Sequence, residues 1–145
     1  MMAECILRDG TVISDYGRPY IVSEVNSSHN GSMELARQMI DASVEIGCDC
    51  VKFQSWSVSS LNSRTYYDAN PISKRFVKKF SMSSEQLKTL SEYCKAKGIS
   101  FSSTPYSEEE VDFLVEECEV PYIKIASMEL NNPRFLKYIG KKREI

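Results

Sequence analysis

The feature that most constrains the fold of this chain is a regular alternation of short apolar segments with amphipathic segments. From residue 18 onward, four short apolar runs alternate with segments whose apolar residues recur at helical spacing. Consecutive parallel strands must be joined by a long crossover, which is usually a helix. Strands that alternate with helices are therefore typical of a parallel sheet covered by helices, and the sequence predicts an α/β protein.

The element boundaries follow from turn and capping signals. The Asp9-Gly10 pair between apolar residues predicts a β-hairpin over 4–14. The predicted strands are 19–25, 50–54, 99–104 and 121–126. The predicted helices are 32–46, 83–96, one that begins after Ser107 and one that begins at Asn132-Pro133. The polar segment 55–80 is predicted to be either a functional loop or disordered, with a short helix near 72–80.

Composition and charge exclude several classes of protein. The chain has 145 residues, 42% of them apolar and 26% charged, which fits one globular domain. A net charge of −2 gives no sign of binding to nucleic acid or to an anionic membrane. No apolar run reaches the length of a membrane-spanning helix, and no secretory signal is recognisable. With five cysteines, an odd number, we expect reduced thiols and a cytoplasmic location.

Polar residues stand near the carboxyl ends of the four predicted strands. They are Glu24, Lys52 with Gln54, Thr104 and Lys124. Because these strand ends meet on one face of a parallel α/β fold, we expect the side chains to lie close together. Two lysines with hydroxyl donors indicate a site for a small, multiply charged anion, such as a phosphorylated or carboxylated metabolite.

Each candidate also has a purely structural interpretation. A lysine in an apolar strand costs free energy unless it is paired, so Lys52 and Lys124 either bind a ligand or pair with a glutamate. His29, the one histidine, is either functional or a local hydrogen-bond partner, and one histidine cannot build a histidine-rich metal site. The aromatic residues of the polar segment either line a sugar pocket or serve packing: Trp56, Tyr66 and Tyr67. The basic run 74–79 is interpreted as a solvated helix face.

Four segments of the chain resemble the sialic acid synthase family. They are Ser-Glu-Val-Asn-Ser-Ser-His-Asn-Gly at 23–31, Val-Lys-Phe-Gln-Ser at 51–55, Ser-Ser-Thr-Pro-Tyr at 102–106 and the segment 122–132. They occur in the family's order and spacing, and the resemblance covers about residues 18–140. One departure is Ser28, which stands where the family has an asparagine before the histidine.

The resemblance implies a fold and a reaction. The family's catalytic domain is a TIM barrel, of which this chain would supply about four of eight (β/α) units, as an N-terminal half over 18–145 preceded by a hairpin over 1–17. The family condenses phosphoenolpyruvate with N-acetylmannosamine or a related N-acyl amino sugar, giving a nine-carbon 2-keto sugar acid and phosphate. The implied cofactor is a divalent metal, Mn²⁺ or Mg²⁺, whose histidine ligands lie in the later barrel strands. Because half a barrel leaves strand edges unpaired, we expect a homo-oligomer or a partner that supplies the C-terminal half.

The resemblance also implies residue roles. The implied substrate-binding residues are Lys52, Gln54, Thr104, Lys124 and Ser127. The implied catalytic carboxylates are Glu24 and Glu129. Two further candidates are His29 and Asn70. Two other functions stay open: an aldolase that forms a Schiff base through Lys124 or Lys52, and a non-catalytic α/β remnant or assembly module.

Overall fold

The computed structural model describes residues 3–142 and contains an antiparallel hairpin, a three-stranded parallel sheet and the helices that connect the strands. The strands are β1 (Glu4–Ile6), β2 (Val12–Ser14), β3 (Val22–Asn26), β4 (Cys50–Gln54) and β5 (Ser100–Thr104). The helices are α1 (Met33–Glu45), α2 (Val58–Leu61), α3 (Arg64–Ala69), α4 (Pro71–Phe80), α5 (Ser84–Lys97), α6 (Glu108–Asp112) and α7 (Pro133–Ile139). A π-helical turn, Phe113–Glu117, continues α6, and a 3₁₀ turn, Ser127–Glu129, precedes α7.

The hairpin forms where the Asp9-Gly10 turn predicts it. Strands β1 and β2 pair antiparallel, with Cys5 opposite Ile13. The Asp9 carboxylate also accepts a hydrogen bond of 2.9 Å from the Ser100 hydroxyl at the beginning of β5. The hairpin is thereby attached to the amino end of the parallel sheet.

The parallel sheet has the order β3-β4-β5, so β4 is the central strand. Its register places Glu24 opposite Lys52, and Gln54 opposite Thr104. Because successive side chains of a strand point to opposite faces, Lys52 and Gln54 share one face of β4, as predicted. Val51 and Phe53 lie on the other face and are completely buried.

The main core lies between the sheet and helices α1 and α5. Ile40 of α1 and Leu90 of α5 are completely buried there, together with Phe101 of β5. Ser83 forms a capping box with Gln86 at the start of α5, and Gly98 ends that helix in the left-handed conformation. The alternation of strand and helix therefore yields an α/β fold with a parallel sheet. No helix within residues 3–142 is long and apolar enough to cross a membrane.

The prediction of a fourth strand over 121–126 is wrong. This segment is extended, but it forms no strand ladder with β5. A side chain replaces the ladder at one point, where the Ser102 hydroxyl donates to the Tyr122 carbonyl at 3.2 Å. The described part of the sheet therefore has three parallel strands.

The prediction of a loop or disorder over 55–80 is also wrong. The segment forms α2, α3 and α4, and α4 includes the short helix predicted near 72–80. These helices are held by a second apolar cluster, built on buried Trp56, Tyr67 and Val77. The serine and asparagine residues that suggested a loop cap the short helices, as Ser57 and Ser63 do. The segment is therefore polar because it contains the ends of several short, closely spaced helices.

The hairpin and half-barrel ranges of the sequence analysis, 1–17 and 18–145, extend past the described residues at both ends. Residues 1, 2 and 143–145 lie outside the described part of the chain. The division itself stays a prediction.

Candidate functional site

The centre of the candidate site is the buried ammonium group of Lys52. This side chain is only 7% exposed, and its Nζ lies 2.7 Å and 2.9 Å from the two carboxylate oxygens of Glu24. Nζ also donates to the Thr104 hydroxyl at 3.3 Å. Strands β3, β4 and β5 each contribute one member of this cluster. The parallel register thus brings together Glu24, Lys52 and Thr104, as expected from their positions at strand ends.

Glu24 gives the cluster its access to solvent. Its side chain is 52% exposed, although it pairs with a lysine that is nearly buried. A half-exposed carboxylate is screened by water, so it binds the ammonium group less tightly than a buried partner would. An anionic ligand that enters from this side can therefore compete with Glu24 for Lys52.

Gln54 lies one residue pair further along the same face, at the carboxyl end of β4. Its Oε1 accepts a hydrogen bond of 2.7 Å from the indole nitrogen of Trp56. This bond fixes the orientation of the amide and leaves the Gln54 NH₂ group as the free donor end. Trp56 is buried, so its role is packing and positioning.

Lys124 shares a cleft with Glu24 and Lys52. The cleft has a volume of about 490 Å³ and is also lined by the hairpin and by Tyr20 and Tyr122. Lys124 is exposed and has no carboxylate within 4 Å among the described residues. The cleft therefore contains one paired and one unpaired lysine beside a single glutamate.

Ser127 and Glu129 lie outside this cluster. Both belong to the 3₁₀ turn before α7, where Ser127 is exposed. The Glu129 carboxylate accepts a hydrogen bond of 2.8 Å from the Asn132 amide, the side chain that caps α7. In this arrangement Glu129 takes part in the local turn, and it makes no hydrogen bond to Lys52 or Lys124 in the described structure.

His29 is buried and has a local partner. Its Nδ1 accepts a hydrogen bond of 3.0 Å from the Gly31 backbone, and its ring packs on Phe53. Burial lowers the pKa of His29, which favours the neutral ring that this acceptor role requires. Gly31 has φ 77°, and a Cβ there would collide with the Lys79 carbonyl of α4. The loop after β3 therefore lies close to α4 at Gly31, and the His29 side chain accepts a hydrogen bond from the backbone of that loop.

Asn70 does not join the strand-end residues. It is exposed and lies between α3 and α4, where its amide donates to the Tyr66 carbonyl at 3.0 Å. Tyr67, in contrast, is buried in the cluster with Trp56. Of the aromatic residues that sequence left open, Trp56 and Tyr67 are buried and Tyr66 is exposed.

Three residues that sequence reasoning did not select shape the same face. Tyr20 and Tyr122 line the cleft and meet edge to face, with ring centroids 6.2 Å apart. The Tyr122 hydroxyl donates to the buried Cys50 thiol at 3.8 Å, and burial raises the pKa of Cys50 to about 11. The alternation of side chains along β4 could have indicated Cys50 from the sequence, because Cys50 and Lys52 share a strand face.

The described residues offer no metal site of their own. Within residues 3–142, no three His, Cys, Asp or Glu side chains are grouped so that they could hold a metal ion. The single histidine already uses Nδ1 for the Gly31 backbone. The side chains of the described cluster suit an organic anion, because lysine and hydroxyl donors dominate it.

In the comparison with protein families, residues 39–145 match a family described as the NeuB family. Among curated proteins, the chain is 33% identical over 133 residues to an N,N'-diacetyllegionaminic acid synthase of Legionella pneumophila, with 86% of this chain and 37% of that protein covered. It is 32% identical over 126 residues to an N-acetylneuraminate-9-phosphate synthase of Drosophila melanogaster, with 81% and 34% covered. The chain thus spans about a third of the length of these relatives.

Comparison with solved structures agrees. An N-acetylneuraminic acid (sialic acid) synthetase from Leptospira borgpetersenii matches with a TM-score of 0.85 and 25% identity. The match covers 98% of this chain and 47% of that one. The hairpin, the parallel sheet and the helices therefore have a counterpart in a known synthetase fold.

Proposed function

Because the chain belongs to the NeuB family, we propose that it forms the N-terminal half of an enzyme that condenses phosphoenolpyruvate with an N-acyl amino sugar. The product is a nine-carbon 2-keto sugar acid of the sialic or legionaminic type, and phosphate is released. The names of the relatives support this class of reaction, since they are synthases of such acids. The acceptor is N-acetylmannosamine or a related sugar.

The observation that carries the proposal is the buried Lys52 in the central strand. Phosphoenolpyruvate combines a carboxylate with a phosphate, so it needs several cationic and hydroxyl donors within a small volume. Lys52, Thr104 and Lys124 meet this need on one side of the molecule, and two of them line the same cleft. Ser127, on the turn that follows Lys124, is proposed as a further donor to this substrate.

The other roles follow from the chemistry of the reaction. The enol carbon of phosphoenolpyruvate forms a bond to the aldehyde carbon of the open-chain sugar, one water is consumed and phosphate leaves. Gln54, whose Oε1 accepts from Trp56, would donate to the sugar aldehyde through its NH₂ group. Glu24 and Glu129 are the proposed carboxylates near the reacting carbons. His29 holds the loop after Glu24, and Asn70 stays a candidate contact to the sugar from the segment after β4.

Domain organisation is part of the proposal. Residues 18–145 would form about four of the eight (β/α) units of a TIM barrel, with the hairpin of 1–17 before them. The exposed outer edge of β3 supports association with further strands, because an unpaired edge is an association site. We propose a homo-oligomer or a complex with a separate C-terminal half, and sedimentation that shows only a monomer would argue against the homo-oligomer.

The divalent metal implied by the family does not fit the described residues alone. These residues contain no group of three potential ligands, as noted above. We therefore propose that its ligands come from the second half of the barrel. The side chains of this chain would bind and orient the two substrates independently of the metal.

Thermal unfolding with phosphoenolpyruvate tests the proposal. A ligand that binds only the folded chain stabilises it by about 2.7 kcal/mol at a concentration of 100 times Kd. We expect this stabilisation for the unaltered chain, a smaller one with inorganic phosphate, and a much smaller one for Lys52→Met. Lys97→Met is the matched control, because Lys97 also pairs with a carboxylate, Asp41 at 2.7 Å, but away from the cleft.

A second variant covers the case in which Lys52→Met does not fold. Thr104→Val keeps the ion pair of Lys52 and removes one hydroxyl donor. It should weaken phosphoenolpyruvate binding severalfold, in line with one lost hydrogen bond to a charged group. Equal stabilisation of the unaltered chain and of Thr104→Val would contradict the assignment of Thr104, and no stabilisation of a folded unaltered chain would contradict the proposed substrate.

The Schiff-base aldolase depends on an uncharged lysine. The Lys52 amine is nearly buried and is held by Glu24 and Thr104, whereas Lys124 is exposed in the cleft, so Lys124 is the accessible candidate for this alternative. Borohydride reduction in the presence of pyruvate, followed by mass spectrometry, separates the two functions. A covalent adduct on Lys124 would favour the aldolase, and its absence together with phosphoenolpyruvate binding would favour the synthase. A folded chain that binds neither ligand would favour a non-catalytic module.

A further inference from the structure

A second cleft lies in the segment that follows β4. It has a volume of about 520 Å³ and is separate from the cleft that contains Lys52 and Lys124. Its polar lining consists of Ser57, Ser59, Asn62, Arg64, Tyr67 and Lys74. Helices α2, α3 and α4 all contribute, so the cleft exists only because the segment folds into helices.

The cleft is positively charged. Arg64 and Lys74 line it from α3 and α4, and no carboxylate belongs to its lining. Neither cation has a carboxylate within 4 Å among the described residues, although Asp68 follows Arg64 by one helical turn. The two cations therefore face the cleft without a counter-charge from the described part of the protein.

A buried hydroxyl group also lacks an acceptor. Tyr67 is only 3% exposed, and its hydroxyl accepts a long hydrogen bond of 3.5 Å from the Asn62 amide. Its own proton is donated to no atom of the described residues. A buried hydroxyl that lines a cleft and retains an unused donor suits an acceptor oxygen of a ligand. The guanidinium of Arg64 supplies the planar donor pair that matches two phosphate oxygens.

We propose that this cleft binds the phosphate group of a phosphate monoester. Arg64 and Lys74 supply the positive charge, and Tyr67 and Asn62 supply hydrogen-bond donors. Two ligands share this chemistry: free phosphate, and a phosphate ester on the sugar acceptor. The second of these rests on the proposed function. The lining of the cleft begins at Ser57, three residues after Gln54 in the chain.

Titration with inorganic phosphate tests the proposal. Trp56 is the only tryptophan of the chain and packs in the same cluster as Tyr67, so its fluorescence reports on the cleft, with calorimetry as a second readout. Arg64→Gln and Lys74→Gln should each weaken phosphate binding about tenfold or more, the loss expected for one charged hydrogen bond. Tyr67→Phe should weaken it severalfold.

Lys78→Gln is the matched control, because Lys78 is exposed on the same helix as Lys74 but does not line the cleft. It should change Kd less than twofold. An equal loss in Lys78→Gln would indicate a general electrostatic effect and overturn the proposal. Unchanged binding in Arg64→Gln and Lys74→Gln, or no binding at all, would also overturn it.

The source of the phosphate is tested with an N-acetylhexosamine and its 6-phosphate ester. If the ester binds more tightly than inorganic phosphate and loses affinity in Arg64→Gln, the sugar acceptor is the source. If the ester binds no more tightly than inorganic phosphate, free phosphate is the ligand. Failure of the proposed function can be distinguished from failure of this proposal. If phosphoenolpyruvate does not stabilise the chain but inorganic phosphate still binds, only the assignment of the strand-end site is wrong. If Lys52→Met abolishes phosphate binding and Arg64→Gln does not, the phosphate binds at the strand ends. That result would overturn the proposal.

Discussion

The segments 50–54 and 121–126 have similar sequences but different structures. Each is a short apolar run with a lysine flanked by apolar residues, and both were predicted to be strands. The first is the central strand of the sheet, and its Lys52 is buried and paired. The second is extended without a strand ladder, and its Lys124 is exposed and unpaired. The difference shows that the neighbours of a segment decide whether a strand and a buried charge are formed.

Lys52 is surrounded because β4 has a strand on each side. Glu24 comes from one neighbour and Thr104 from the other, so burial of the ammonium group is compensated. The segment 121–126 forms no strand ladder among the described residues: it contacts β5 through the Ser102 side chain, and the Arg8 backbone of the hairpin donates to the Pro121 carbonyl at 3.2 Å. Four predictions test how far this contrast extends, from the largest expected effect to the smallest.

Removal of the carboxylate beside Lys52 should have the largest effect. Glu24→Ala leaves a buried ammonium group without its counter-charge and should lower the free energy of unfolding by about 2 kcal/mol. This cost is smaller than that of breaking a fully buried pair, because Glu24 is half exposed. Urea denaturation measures this change. Glu34→Ala, at an exposed site on α1, is the control, and an equal effect of both variants would contradict a special role for the pair.

The hydrogen bond between the two regions should have the next effect. Ser102→Ala removes a buried donor to the Tyr122 carbonyl and should cost about 1 kcal/mol, because the carbonyl loses its partner. Amide exchange should accelerate mainly over 121–126 and little in β4. Uniform acceleration over both segments would show that they open as one unit and would contradict a difference in stability between them.

His29 should make the sheet side of the molecule sensitive to acid. Its pKa is lowered by burial, so the folded chain takes up this proton at lower pH than the unfolded chain does. The contribution of His29 is therefore complete above about pH 6.5 and is lost as pH falls from there toward its lower folded value. The free energy of unfolding should therefore decrease between pH 7 and pH 5.

Urea denaturation at several pH values measures this loss. His29→Asn keeps an acceptor for the Gly31 backbone without a titrating ring, and it should show a smaller decrease in stability on acidification. If both proteins lose stability equally, other groups cause the acid sensitivity.

Removal of the exposed lysine should have the smallest effect on stability. Lys124→Ala deletes a side chain with no ion pair among the described residues and should change the free energy of unfolding by at most about 0.5 kcal/mol. It should still reduce stabilisation by phosphoenolpyruvate, because Lys124 lines the cleft with Lys52. A large loss of stability without ligand would show that Lys124 has a structural partner.

Much of the candidate site could be predicted from the sequence. Glu24, Lys52, Gln54 and Thr104 stand at strand ends that the apolar pattern locates, and the structure brings three of them into direct contact. The cleft after β4 could not be predicted, because it depends on α2, α3 and α4 packing around Trp56. Serine and asparagine occur equally in loops and at helix caps, so composition did not distinguish the two.

The sequence by itself determined the α/β class, the central strand Cys50–Gln54, the approximate ends of α1 and α5 and the polar residues of the strands, because these depend on local periodicity and capping. Only the tertiary structure decided that Lys52 pairs with Glu24, that 121–126 forms no ladder, and that Arg64 and Lys74 share a cleft. Those features depend on register and on packing between segments distant in sequence. Local propensity carries no information about either of them.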